Sequence, residues 1–232
     1  MRKIEFVTTA CSRPDIVDTT YSSFYKNLQG VNFKESTLYL NVDPIPVDTD
    51  PLKVVEVAKK YFGNVIVNIP KTPNFSMALQ WCFTQPKDKY FFYLQDDWVM
   101  IKKFSVDTLF DHMGSSIRDK KNRPGTVVVA TMRAYKTIKD NRICLSPGLF
   151  NAWWGKTFAQ KMNVKFNPER QTRKKTLENP EGGKMQSKYI GIHLPKNTTV
   201  VEDIGRKWLV DVGLRRNSSD KCKFTGWRPA KK

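Results

Sequence analysis

The stretch KYFFYLQDDWVM, residues 89–100, decides how this chain is read. Tyr90 to Leu94 are all apolar or aromatic, and Gln95-Asp96-Asp97 follows abruptly. In a parallel α/β sheet the carboxyl ends of the strands border the ligand crevice, so acids placed there meet the substrate. Two adjacent carboxylates repel one another unless a cation intervenes. A hard cation such as Mg2+ or Mn2+, completed by phosphate oxygens and water, relieves that repulsion and neutralises charge on a departing diphosphate. The plain alternative is a solvated turn, since Asp is common after strands.

Upstream, apolar runs alternate with helical spacing. KIEFVTTA (3–10) reads as a first strand, and Ser12-Arg13-Pro14-Asp15 supplies a helix start with Ser12 as N-cap. Ile16, Val17, Thr20, Phe24 and Leu28 then recur at helical spacing. STLYLNVDP is a strand ending at Asp43, PLKVVEVAKKYFG a helix closed by Gly63, NVIVNIP a strand and PNFSMALQWCF a helix. Strands alternating with helices imply βαβ units and a mostly parallel central sheet flanked by helices.

Together these features resemble glycosyltransferases of the GT-A fold. The resemblance rests on VTTACSRP at the first strand, Asp43 at the end of the second, and a hydrophobic strand leading to an acidic triplet; it covers about residues 1–100. It implies a single GT-A-like (Rossmann-like) domain over 1–232, with residues 1–100 binding a nucleotide-sugar and 101–232 the acceptor. Carried over by position, Thr8, Thr9, Ala10 and Arg13 would border the base and ribose of a UDP-sugar, and Asp43 would accept a hydrogen bond from the base. Asp97 would be the metal ligand and Asp96 a donor contact. Gln95 departs from the family pattern, which has an acid there.

The second half is less regular. SVDTLFDHMGSSIRDK reads as a helix, GTVVVATMRAY as a strand, and ICLSPGLFNAWWGKTFAQKM as a strand, a turn and a helix. A catalytic base is sought among its acids: Glu178 and Glu181 around Pro180, and Asp203 in VEDIGRKW, with Glu169, Glu202 and Asp211 also available. Each has a structural alternative as a helix-capping acid. His193 is a possible further metal ligand or a satisfied structural histidine. Trp153 and Trp154 could form an acceptor platform, although tryptophans are more often core.

Charge is the compositional anomaly. Forty Lys+Arg against 22 Asp+Glu give a formal +18, more than a diphosphate pocket requires. A field of that sign favours a polyanionic partner. Arg173, Lys174 and Lys175, with tail residues Arg228, Lys231 and Lys232, are the expected phosphate contacts. Taken with the resemblance to GT-A glycosyltransferases, this charge makes a hydroxymethylated base in bacteriophage DNA the favoured acceptor. A cell-envelope glycan at an anionic membrane and a non-enzymatic nucleic-acid-binding module are the alternatives. No run approaches the ~20 apolar residues of a membrane span, and the start reads as a strand and not a signal peptide, so a cytoplasmic setting is expected, the host's if viral. The scattered Cys11, Cys82, Cys144 and Cys222 are expected to be free thiols there.

Overall fold

The computed structural model of the chain describes residues 1–45, 49–118, 124–134, 143–172, 189–194, 198–216 and 227–229. Strand β1 (Glu5–Cys11) feeds α1 (Pro14–Asn27), where Pro14 occupies a first-turn position that needs no N–H donor. The helix is capped at Arg13 without a side-chain bond. Ser12, the expected cap, instead donates its hydroxyl to the Asp43 carbonyl at 3.2 Å, tying two strand ends together.

The first half continues with β2 (Leu28–Gln29), β3 (Thr37–Asp43), α2 (Leu52–Tyr61), β4 (Asn64–Asn68) and α3 (Phe75–Thr84). The Asn74 side chain caps α3, accepting from the N–H groups of Ser76 and Met77 at 3.0 and 3.1 Å. The aromatic run forms β5 (Tyr90–Tyr93), and a turn through Asp96-Asp97 leads to β6 (Trp98–Met100). Then come β7 (Phe104–Ser105), α4 (Asp107–Phe110), β8 (Ser116–Arg118), β9 (Pro124–Ala134) and β10 (Gly148–Asn151). α5 (Ala152–Lys161), α6 (Pro168–Gln171), β11 (Tyr189–Leu194) and β12 (Val201–Asp203) follow. A last helix, Gly205–Asp211, precedes the paired β13 (Leu214–Arg216) and β14 (Trp227–Pro229).

The main sheet runs β4-β3-β1-β5-β10-β9-β11, with β8 added beside β9. β4, β3, β1 and β5 are parallel, β10 is antiparallel to both β5 and β9, and β11 is parallel to β9. Alternating side chains divide between two cores. Phe6, Leu38, Leu40 and Phe92 pack with residues of α1 and α2, while Val7, Tyr39, Phe91 and Tyr93 pack with α3 and α5. Each side chain so buried contributes about 1.5–3 kcal/mol, which pins the register because a one-residue slip would exchange the two faces.

One expected helix is absent. SVDTLFDHMGSSIRDK forms only the single turn α4 before Gly114 adopts φ +78 and donates to the Val127 carbonyl at 3.0 Å. That left-handed glycine ends the turn and directs residues 116–118 into β8 alongside β9.

Candidate active site

β1 and β5 are neighbours in parallel register, Val7 opposite Tyr93, so the chain leaving β1 meets the turn leaving β5. There the Cys11 N–H donates to Asp96 Oδ2 at 3.0 Å and Arg13 Nη2 donates to the same oxygen at 2.8 Å. Arg13 Nη2 also lies 3.5 Å from Asp97 Oδ2. The side chains of Arg13, Asp96 and Asp97 are 5%, 9% and 14% exposed. Burial works against the Arg13 charge, but Asp96 and Asp97 more than offset it and hold its pKa above the ordinary value. Thr20 of α1 donates to the Asp96 carbonyl at 2.8 Å, and the Trp208 ring covers the guanidinium at 5.1 Å. The repulsion between the two acids is thus answered first by an arginine of the chain itself.

A second segment completes this edge. β12 pairs antiparallel with β6, setting Asp203 opposite Trp98, and the Ile204 N–H donates to the Asp97 carbonyl at 2.9 Å. The Gly205 backbone lies against the Asp97 carboxylate so closely that any Cβ would overlap it. Asp203 Oδ1 accepts the Gly205 N–H at 3.0 Å, and Oδ2 lies 3.7 Å from the exposed Arg206. Asp203 remains about one-third exposed.

Asp43 closes the other side. Oδ1 accepts from Asn41 Nδ2 at 2.9 Å and Oδ2 from the Asn74 N–H at 3.1 Å, while Asn68 Nδ2 donates to Asn41 Oδ1 at 2.6 Å. Burial pushes the Asp43 carboxyl up to about 6, helped by the nearby Asp96 charge and opposed by the bonds from Asn41 and Asn74.

The expected residues therefore distribute unevenly. Arg13, Asp43, Asp96 and Asp97 gather at the carboxyl ends of β1, β3 and β5, and the pairing of β12 with β6 brings Asp203 to the same region. Thr8, Thr9 and Ala10 are buried within β1 behind it, with Thr9 Oγ1 3.2 Å from the Tyr93 hydroxyl. His193 pairs with Thr131 across β11 and β9, and its Nδ1 lies 2.6 Å from Thr131 Oγ1. Three strand spacings, about 14 Å at ~4.8 Å each, separate β11 from β5, and no group of three His, Cys, Asp or Glu able to hold a metal occurs among the described residues. The tryptophans depart most from expectation. Asn151 pairs with Tyr90 and the Ala152 N–H donates to the Lys89 carbonyl, so α5 begins at the edge of the sheet opposite Asp96-Asp97. There Trp154 is core, stacked on Phe158 at 5.2 Å, and Trp153 is exposed beside Tyr189, away from the crevice. Glu178, Glu181, Arg173, Lys174 and Lys175 lie outside the described residues.

Sequence reasoning missed the Asn41–Asn68–Asn74 set and the pairing of Arg13 with the two acids. For Arg13 a signal existed: Pro14 anchors the helix start directly after it, at the end of the strand neighbouring β5.

No protein-family model and no curated protein matches the sequence. Solved structures do. The mannosyltransferase PcManGT from Pyrobaculum calidifontis, in complex with GDP-Man and Mn2+, superposes with a TM-score of 0.54 at 11% identity, covering 92% of this chain and 61% of its own. CMP:2-keto-3-deoxy-manno-octonic acid synthetase in complex with CTP gives 0.51 at 14% identity, covering 91% and 97%. S. aureus TarS also aligns, at TM-score 0.49 and 10% identity, over 86% of this chain, which spans only 36% of the TarS chain. Identities this low speak for architecture and not for reaction, and the architecture is the GT-A fold.

Proposed function

We propose that the chain is a glycosyltransferase that moves a sugar from a nucleotide-sugar donor, a UDP-sugar, to a polyanionic acceptor. The observation supporting this is the meeting of Arg13, Asp96, Asp97 and Asp203 at the carboxyl ends of parallel strands. Asp43 accepts a hydrogen bond from the base through the lone pairs that Asn41 and Asn74 leave open. Asp203 is the general base. It removes the proton of the acceptor hydroxyl as that oxygen bonds to the anomeric carbon and the bond to the diphosphate oxygen breaks. The Gly205 N–H on Oδ1 fixes the orientation of this carboxylate.

Metal dependence belongs to the same proposal. Asp96 Oδ2 already holds Arg13 and the Cys11 N–H, whereas Asp97 has the longer contact to Arg13 and is the carboxylate suited to Mn2+ or Mg2+. Such an ion, when bound, neutralises charge on the departing diphosphate. Titration with UDP and Mn2+ tests the donor site: metal-dependent binding lost in Asp97→Ala supports it, and UDP binding indifferent to both leaves a non-enzymatic module.

For the acceptor, the +18 charge supports DNA carrying a hydroxymethylated base, which must be flipped or offered through a groove before its hydroxyl can react. A panel of UDP-sugars incubated with hydroxymethylated and plain DNA, followed by nucleoside mass analysis, should show sugar on the modified base only. DNA affinity that stays constant from about 50 to 200 mM salt would sink this acceptor. Product on a lipid-linked glycan with none on DNA would select the cell envelope.

A further inference from the structure

Beside the donor crevice, on the far side of Asn41 and Asn74, a groove of about 480 Å3 runs between α3 and the ends of β3 and β4. Its lining includes Asn41, Asn68, Met77, Trp81 and Gln160. Among the described residues eleven line it; none of these is charged, although 27% of the chain is, and seven carry an amide or hydroxyl. We propose that this groove is a second binding site, for a neutral saccharide.

A phosphate backbone or acidic glycan finds no cation among the described lining residues, so the polyanion that the overall charge favours is not what this lining suits. Much of the lining is apolar, and several of its amides are already bonded within the chain, Asn74 to the Val164 carbonyl and Gln80 to the Ala159 carbonyl, which leaves the Gln80 oxygen and the Gln160 amide to meet a ligand's hydroxyls. A neutral sugar ring meets both halves of the lining. Its C–H face lies on the half-buried Trp81 indole and the exposed Met77, and its hydroxyls exchange bonds with amides that can both donate and accept. The volume lies within the usual range for small-ligand sites, about 300–1,000 Å3. The polar wall is also ordered in advance: Asn68 is held on Asn41 at 2.6 Å and Asn41 on Asp43 at 2.9 Å, so the Asn68 amide that borders the groove is already oriented. Through Asn41 and Asn74 the groove contacts the same Asp43 carboxylate that faces the crevice.

The full chain, titrated with methyl glycosides of glucose, galactose, mannose and N-acetylglucosamine and with their β-linked disaccharides, tests this, with Trp81 fluorescence and calorimetry as readouts. Saturable binding of at least one sugar, weakened tenfold or more in Trp81→Ala and in Gln160→Ala with UDP affinity unchanged, is the expected result. No binding across the panel, or binding indifferent to both substitutions, overturns the proposal. So does UDP itself competing with the sugar in wild type, which would make the groove part of the donor site. Because UDP binding is measured in parallel, failure here is distinguishable from failure of the transferase reading. Circular dichroism and urea midpoints show whether each variant is folded.

Discussion

Buried carboxylates cap both edges of the main sheet, and the two edges use them differently. At the amino end of β1, Glu5 accepts the N–H groups of Lys87 and Asp88 on Oε2, both at 2.7 Å, and the Tyr39 hydroxyl on Oε1 at 2.9 Å. Its donors are uncharged, two from the turn before β5 and one from Tyr39 of β3, so it fastens that turn to the sheet. At the carboxyl end, Asp96 and Asp97 converge on one guanidinium, with the one-third exposed Asp203 brought beside them by another strand. Burial alone therefore does not mark a working acid. What distinguishes the carboxyl end is like charges held together, a cation between them and one carboxylate left partly exposed.

Substitutions at the two edges should separate accordingly. The largest effect is expected for Asp203→Asn, which keeps the shape and removes the base: kcat should fall about 10²–10⁴-fold while UDP affinity and thermal midpoint hold. A fall of less than tenfold would return the base to another acid. Arg13→Ala removes the cation shared by Asp96 and Asp97 and should cost about 3–5 kcal/mol in urea unfolding, together with donor binding. Glu5→Gln is the matching test at the opposite edge. It should cost about 1–3 kcal/mol of stability and leave kcat unchanged; a loss of turnover in a folded Glu5→Gln protein would erase the distinction between the edges.

The smallest effect concerns pH. Asp43 titrates near 6, above its ordinary 3.8, so the folded chain binds this proton more tightly than the unfolded one. This group's contribution to stability is therefore greatest in acid and diminishes as pH rises through about 6, the reverse of an ordinary salt-bridged Asp. Donor affinity should run the other way, weakening as pH falls through about 6 and Asp43 loses its charge as an acceptor. Calorimetric UDP titrations between pH 5 and 8 should show this slope in wild type and lose it in Asp43→Asn.

Local patterning was legible in the sequence. Apolar alternation in β1, β3 and β5, helical spacing in α1 and α2, and the abrupt change from Leu94 to Asp96-Asp97 determined a mostly parallel α/β sheet with acids at a strand end. Periodicity is a property of neighbouring residues, so the sequence by itself carries it. SVDTLFDHMGSSIRDK shows the limit, because its helical spacing lost to one left-handed glycine and to pairing with β9. Trp153 and Trp154 show it again. Adjacent aromatics look alike in sequence, and only helix phase and strand order sent one into the core and the other to the far edge.

The site was legible as an acidic pair and as a set of possible bases, not as an arrangement. That Arg13 bridges the pair follows from β1 lying beside β5, and that Asp203 completes the crevice follows from β12 pairing with β6. Both are contacts between segments far apart in the chain. No local spacing encodes them; they are decided when the sheet assembles and buries its two faces together.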